Sequence, residues 1–218
     1  MSRPFRAVLF DLDGTLTAVP SLWQHLHEAL GFRAGGACAH QEEFQEGRIS
    51  YEEFCLRDAA HWKGMLEADL RAISDRIPYR AGTRECVEDL KRAGMLVGVV
   101  STGLTILAER VHRELDLAFT IANRLVERAG RLTGDVKVNV VHARKGEAVD
   151  LFCAQFGIEA RDVIAVGDSE GDISMFARSG FSIAVNPRED RTPGAASVVH
   201  REESLVGLPI LVPVARPR

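Results

Sequence analysis

The chain is poor in cysteine and in aromatic residues, carries no excess of positive charge, and contains no long apolar run. Cys38, Cys55, Cys86 and Cys153 stand far apart and make no paired spacing, which excludes a dense disulfide framework and reads as reduced thiols in a cytoplasmic protein. A formal net charge of -4 disfavours nucleic acid or an anionic membrane surface as the main partner. No segment approaches the ~20 apolar residues of a membrane span, and the apolar stretch in "MSRPFRAVLFD" is too short for a signal peptide. There is no internal repeat, no low-complexity tract, and no Walker-type or dinucleotide-type glycine motif. What is there is ordinary globular composition, 46% hydrophobic over 218 residues. A chain of this size buries roughly 70% of its unfolded surface and needs no staples to fold.

Four strand-like runs, "FRAVLF", "MLVGVV", "VIAVG" and "FSIAV", are continuously apolar rather than alternating, as strands covered on both faces should be. Helical segments lie between the later runs. "TRECVEDLKRAG" puts Val87 and Leu90 on one face and stops at Gly94; "KGEAVDLFCAQFG" groups Ala148, Leu151, Phe152 and Phe156 and stops at Gly157. Strand alternating with helix predicts a parallel α/β sheet. Residues 19–78 break the rhythm with three helical patterns. Leu22, Leu26 and Leu30 repeat before Gly31, Ser50 and Glu53 make a capping box, and Leu66, Leu70, Ile73 and Ile77 form a third stripe. The expected fold is therefore a Rossmann-like parallel α/β core, residues 1–18 plus 79–218, with a small helical cap at 19–78 inserted after the first strand. "IANRLVERAGRLTGDVKVNVV" predicts a β-hairpin appended to the core, and the tail "LPILVPVARPR" is expected to be loosely ordered.

In a parallel sheet, ligands bind where the carboxyl ends of the strands converge. The first strand ends in Asp11 and Asp13, which alternation places on one side, and two like charges so close need a cation or a shared proton. "MLVGVV" runs into Ser101 and Thr102, "VIAVG" into Asp168 and then Asp172, and Lys145 opens a helix between them. Clustered carboxylate oxygens suit Mg2+, and a lysine and a hydroxyl beside a metal suit a phosphoryl group. One aspartate would attack phosphorus and the other would carry the proton; spacing alone does not say which.

Taken in order, "DLDGT", "VVST", "RKGEA" and "GDSEGD" resemble the four motifs of the haloacid dehalogenase superfamily of phosphatases. Within it, "GRISYEEF", "ANRLV", "RLTGDV" and "KGEA" are most similar to stretches of phosphoserine phosphatases. The resemblance implies Asp11 as nucleophile and metal ligand, and Asp13 as general acid/base with its backbone carbonyl on the metal. It implies Ser101, Lys145 and the Thr102 amide as phosphate-binding groups, and Asp168 with Asp172 as ligands of Mg2+. The implied reaction is hydrolysis of a small phosphate ester, phosphoserine or a related compound, through an aspartyl-phosphate. The chain departs from the phosphoserine pattern at Pro20, where an acid is expected, and at Asp58, where an arginine is expected with Arg57 one position off. Gly171 stands where asparagine is usual.

Simpler roles sit beside these. Ser101 as a helix cap, Lys145 as a surface lysine and Asp172 as a complement to a helix N-terminus are each ordinary placements. His25 and His27, two apart, do not share a helix face and read as members of a partly exposed cap helix, not a metal pair. Trp23, Phe44, Tyr51 and Trp62 read as cap core, with one or two turned toward the substrate. A phosphotransferase or phosphomutase on the same scaffold, and a non-catalytic regulatory module, are the alternatives to a hydrolase.

Overall fold

The computed structural model describes residues 5–32 and 37–212, with Ala37 and Cys38 described in backbone alone. In chain order the elements are β1 (Ala7–Phe10), α1 (Leu22–Ala29), α2 (Ala37–Gln45), α3 (Tyr51–Ala60), α4 (Glu67–Ser74), α5 (Thr83–Arg92), β2 (Leu96–Leu104) and α6 (Thr105–Leu115). They continue with β3 (Phe119–Arg128), β4 (Arg131–Lys137), α7 (Gly146–Phe156), β5 (Val163–Gly167), α8 (Ile173–Arg178), β6 (Phe181–Val185), α9 (Arg191–Ala195), β7 (Val198–His200) and α10 (Leu208–Leu211). The strands make one sheet in the order β4-β3-β2-β1-β5-β6-β7, parallel throughout except for the antiparallel β3–β4 pair. Every residue of β1, β5 and β6 is buried, which is why their sequences are apolar without alternation. Among the described residues no helix is long and apolar enough to cross a membrane.

β1 is the central strand, registered with β2 through Phe10↔Val99 and with β5 through Phe10↔Val166. The side chains that follow these three strands therefore emerge beside one another. The chain leaves the sheet at residues 16–18 and returns at 78–80, and these two passages bond each other: Ala18 N donates to Pro78 O at 3.0 Å and Arg80 N to Leu16 O at 2.9 Å. Between them lie α1–α4. The core also grips the end of α4, where the buried Arg110 of α6 donates to the carbonyls of Ser74, Asp75 and Ile77. The first two are carbonyls that a helix end leaves without intrahelical partners, and the third lies just beyond it.

Several local expectations change in the folded chain. Leu151 is exposed; the buried face of α7 is Gly146, Ala148, Val149 and Phe152, and at helical spacing Leu151 falls outside the arc that Ala148, Val149 and Phe152 share. Leu66 is an exposed N-cap rather than part of the α4 stripe. Ser50 accepts from Glu53 N, but the Glu53 carboxylate turns to Arg57, so only half of the capping box forms. The hairpin is not an appendage: β3 first runs parallel to β2, then turns at Ala129–Gly130 into β4. Its end supports the inserted helices, Gly64 N donating to Leu132 O and Leu132 N to Met65 O. The start of the tail is not loose either: Leu208–Leu211 is a short helix with Leu208 buried, and residues 213–218 lie outside the description.

Candidate active site

Asp11 follows β1 directly, its N–H bonded to Val166 O at 2.8 Å, and its side chain is buried. The Lys145 ammonium, at the N-terminus of α7, bonds Asp11 Oδ1 and donates to Asp172 Oδ1 at 2.7 Å. The other oxygen of Asp172 accepts from Asp168 N, Ser169 N and Ser169 Oγ at 3.0–3.1 Å. Asp172 thus closes the turn after β5 and faces the lysine with the same carboxylate. Asp168 accepts from Thr15 Oγ1 at 3.0 Å on one oxygen and from Arg188 Nε at 2.9 Å on the other. Glycine is required where the backbone passes these acids. Gly14 has φ +83°, and a Cβ there would lie 2.5 Å from Asp168 Oδ2; one on Gly167 would lie 2.3 Å from Asp172 Cγ.

Charge in this floor is unbalanced. Four carboxylates, Asp11, Asp13, Asp168 and Asp172, face two cations, Lys145 and Arg188. Burial pushes Asp11 up to about 8, with Lys145 opposing and Asp172 and Asp168 adding to the rise. Burial and then the neighbouring Asp11 push Asp13 up to about 7. Burial pushes Asp168 up to about 6, against the pull of Arg188. Burial works against the charge on Lys145, but Asp11 and Asp172 overcome it and hold its pKa above the ordinary lysine value. One oxygen each of Asp11, Asp168 and Asp172 lies within 4.8 Å of the others, and Asp13 Oδ1 is buried without a hydrogen-bond partner. An all-carboxylate donor set two charges short of balance fits a hard divalent cation.

The opposite side of the floor is built from the end of β2. Ser101 Oγ accepts from Gly103 N at 2.9 Å, so Ser101 does not cap α6, whose N-cap is Leu104. The Thr102 carbonyl takes three donors: Trp23 Nε1 at 3.2 Å, Tyr51 OH at 2.6 Å and Asn123 Nδ2 at 2.9 Å. Two of these come from the inserted helices, which are thereby tied to the loop that leaves β2. Asp13 Oδ2 accepts from Leu22 N at 3.0 Å, at the N-terminus of α1, a favourable end for a carboxylate. Above the floor opens a cleft of about 590 Å³, lined by Asp11, Asp13, Thr102 and Lys145 together with residues of the inserted segment.

The sequence profile of the haloacid dehalogenase-like hydrolases matches residues 8–177. The chain belongs to this family. It is 31% identical over 191 residues to a protein of Methanocaldococcus jannaschii named phosphoserine phosphatase, covering 84% of this chain and 87% of that one. It is 33% identical over 212 residues to a protein of the same name from Archaeoglobus fulgidus, covering 95% of this chain and 60% of that one. A solved structure described as a phospho-aspartyl intermediate analogue of phosphoserine phosphatase superposes with a TM-score of 0.85 at 27% identity, covering 97% of this chain and all of the other. A substrate-bound phosphoserine phosphatase complex superposes equally well, at 26% identity.

In this haloacid dehalogenase-like hydrolase, Asp11, Lys145, Asp168 and Asp172 are brought into direct contact or within a few ångströms of one another. Asp13 and Thr102 line the same cleft, while the buried Ser101 side chain lies just behind it. Arg57 pairs with Glu43 at 2.7 Å and with Glu53, and does not line the cleft. Asp58 is buried between His27 and His40, each at 3.2 Å. His27 is therefore buried, not part of an exposed face, while His25 stays half-buried. Trp62 is cap core, whereas Trp23, Phe44 and Tyr51 all reach the cleft. Sequence reading missed Arg188 and His142, and placed Asn123 only inside the stretch "ANRLV" without a role. Arg188 follows the end of β6 in "NPRED", so applying the strand-end rule to the fourth run would have found it; His142 carries no local signal.

Proposed function

We propose that this chain is a Mg2+-dependent phosphomonoester hydrolase that acts on a small phosphorylated metabolite through an aspartyl-phosphate at Asp11. The carrying observation is the buried cluster of Asp11, Asp168 and Asp172 oxygens, bonded by Lys145 at the base of an open cleft. The relatives named phosphoserine phosphatase support it and make phosphoserine the first compound to assay.

In this reading an Asp11 oxygen attacks phosphorus, the ester P–O bond breaks, and Asp13 gives its proton to the departing oxygen. Water then attacks phosphorus, Asp13 takes the proton, and the bond to Asp11 breaks to release phosphate. A group that must both give and accept a proton works best near neutrality, and Asp13 sits at about 7. Lys145, the Ser101 hydroxyl and the Thr102 amide would hold the phosphoryl oxygens. Asp11, Asp168 and Asp172, with the Asp13 carbonyl, would hold Mg2+, which when bound supplies neutralisation of phosphoryl charge. Residues 19–78 would act as the cap that restricts bulk water. Acid quenching during turnover should leave a phosphate-mass adduct on the peptide containing Asp11. An adduct on another residue, or none at any time, would overturn the reading.

The raised carboxyl groups also predict how metal removal changes stability. A carboxyl whose pKa is higher folded than unfolded binds its proton more tightly in the folded state, so its contribution declines as pH rises between the two values. For Asp168, Asp13 and Asp11 that window runs from the ordinary aspartate value of 3.8 to about 6, 7 and 8. With chelator present, Tm should therefore fall as pH rises through this window. Mg2+ favours the ionised forms and should flatten or reverse the slope. Parallel slopes with and without Mg2+ would place the ion elsewhere.

A further inference from the structure

The two walls of the cleft differ in kind. Its charged lining residues, Asp11, Asp13, Lys145, Glu170, Arg188 and Glu189, all come from the core. Among the described residues, the lining from the inserted helices contains no Asp, Glu, Lys or Arg. It consists of rings, neutral amides, Pro20 and Ser21. Arg57 is paired with Glu43 and Glu53, Arg48 with Glu46 and Glu43, and Glu52 with Arg144 of the core at 3.6 Å. The core charges at the rim are engaged as well. Arg188 holds Asp168 at 2.7 Å, and Glu189 accepts from Glu170 N at 3.2 Å.

The neutral wall is pre-formed. Trp23 stacks on Trp62 with ring centroids 5.4 Å apart and tilts against Phe54 at 6.0 Å, and Phe44 stacks on Phe54 at 5.5 Å. Phe44 is half-buried, and Gln41 and Gln45 accompany it on α2. A charged group pressed against such a wall loses water and gains no counter-charge. A flat or apolar group loses little there and gains ring contact.

We propose that the alcohol half of the substrate is uncharged and carries an apolar or planar face, seated against Trp23, Phe44 and Phe54, with the α2 amides available to its hydroxyls. This rests on the phosphomonoester hydrolase reading and names the leaving group that the site selects. It places the enzyme where a kinase-type or phosphoryl-transfer reaction has phosphorylated a neutral, ring-bearing alcohol rather than an amino acid.

The test compares kcat/KM, with Mg2+, for four unactivated esters: 2-phenylethyl phosphate, ethyl phosphate, O-phospho-L-serine and O-phosphocholine. The phenylethyl ester is expected to exceed phosphoserine and phosphocholine by about tenfold or more, the scale on which a pocket discriminates by apolar contact against an unpaired charge. Phe44→Ala should reduce that advantage mainly through KM, and Phe44→Leu, which keeps an apolar packing volume, should retain part of it. Phosphoserine or phosphocholine in first place would overturn the inference while leaving the hydrolase intact. Equal rates for ethyl and phenylethyl phosphate would also overturn it. No release from any ester would overturn the hydrolase reading and this inference with it.

Discussion

Asp11→Asn is expected to lower phosphate release by about 10⁴-fold or more, the scale of loss when a nucleophile is removed. The same variant should stay folded. Asparagine keeps the shape of the side chain and carries no charge, and the charge on Asp11 is what burial and the Asp172 and Asp168 carboxylates oppose. The asparagine side-chain carbonyl can still accept from Lys145 but no longer pairs the charge, and that ammonium keeps Asp172 at 2.7 Å. Tm in chelator should therefore lie close to wild type or above it at pH 8, where wild-type Asp11 is at its titration point. Phosphate release and thermal melting on the same preparation check both halves. A residual rate above about one hundredth of wild type, beyond what adventitious wild-type protein explains, would remove Asp11 from the nucleophile role.

Lys145→Met should damage both activity and stability. The lysine is 2% exposed and is the cation that bonds both Asp11 and Asp172. Methionine fills the space but leaves the buried carboxylates without it, and breaking a buried ion pair from one side costs about 3–5 kcal/mol when the remaining charge persists. Protonation offers Asp11 an escape, so the loss should be small at acidic pH and grow as pH rises. Without the lysine, the charge that opposes the rise of the Asp11 carboxyl is gone, which extends to higher pH the window in which stability declines. Mg2+ should recover part of the lost Tm, since it supplies positive charge to the same oxygens. Turnover should not recover, because the phosphoryl group would still lack the ammonium. A variant with wild-type Tm across this range would show that Lys145 is not what balances the floor.

Effects of opposite sign on stability at neighbouring positions would be informative together. At Asp11 a charge is removed from a floor with too much negative charge; at Lys145 the excess is deepened. Both residues lie in one contact network, so the double variant should depart from the sum of the two. The neutral pair is expected to be less destabilised than Lys145→Met alone, because one of the stranded carboxylates has gone with its partner.

Much of this protein was determined by the sequence itself. The apolar runs that became β1, β5 and β6 are buried on both faces, a property carried by each short segment without reference to the rest of the chain. The parallel order then converges the strand ends, which is why Asp11 groups with Asp168 and Asp172, more than 150 residues further along the chain, from the sequence alone. Helix ends at Gly31, Gly94 and Gly157 were equally local, since each glycine takes a positive φ. Where two periodicities fit almost equally, as at Leu151 and Leu66, local reading failed, because only the packed neighbour decides which face of a helix is covered. Tertiary structure alone decided the rest. Asn123 reaches Thr102 from another strand, the hairpin supports the cap through Gly64 and Leu132, and Arg57 turns to Glu43 so that the described cap residues leave a neutral wall over the carboxylates. Those outcomes depend on contacts between segments far apart in the chain, and a side chain's partner there is set by the packing of whole elements, not by the residues beside it in sequence.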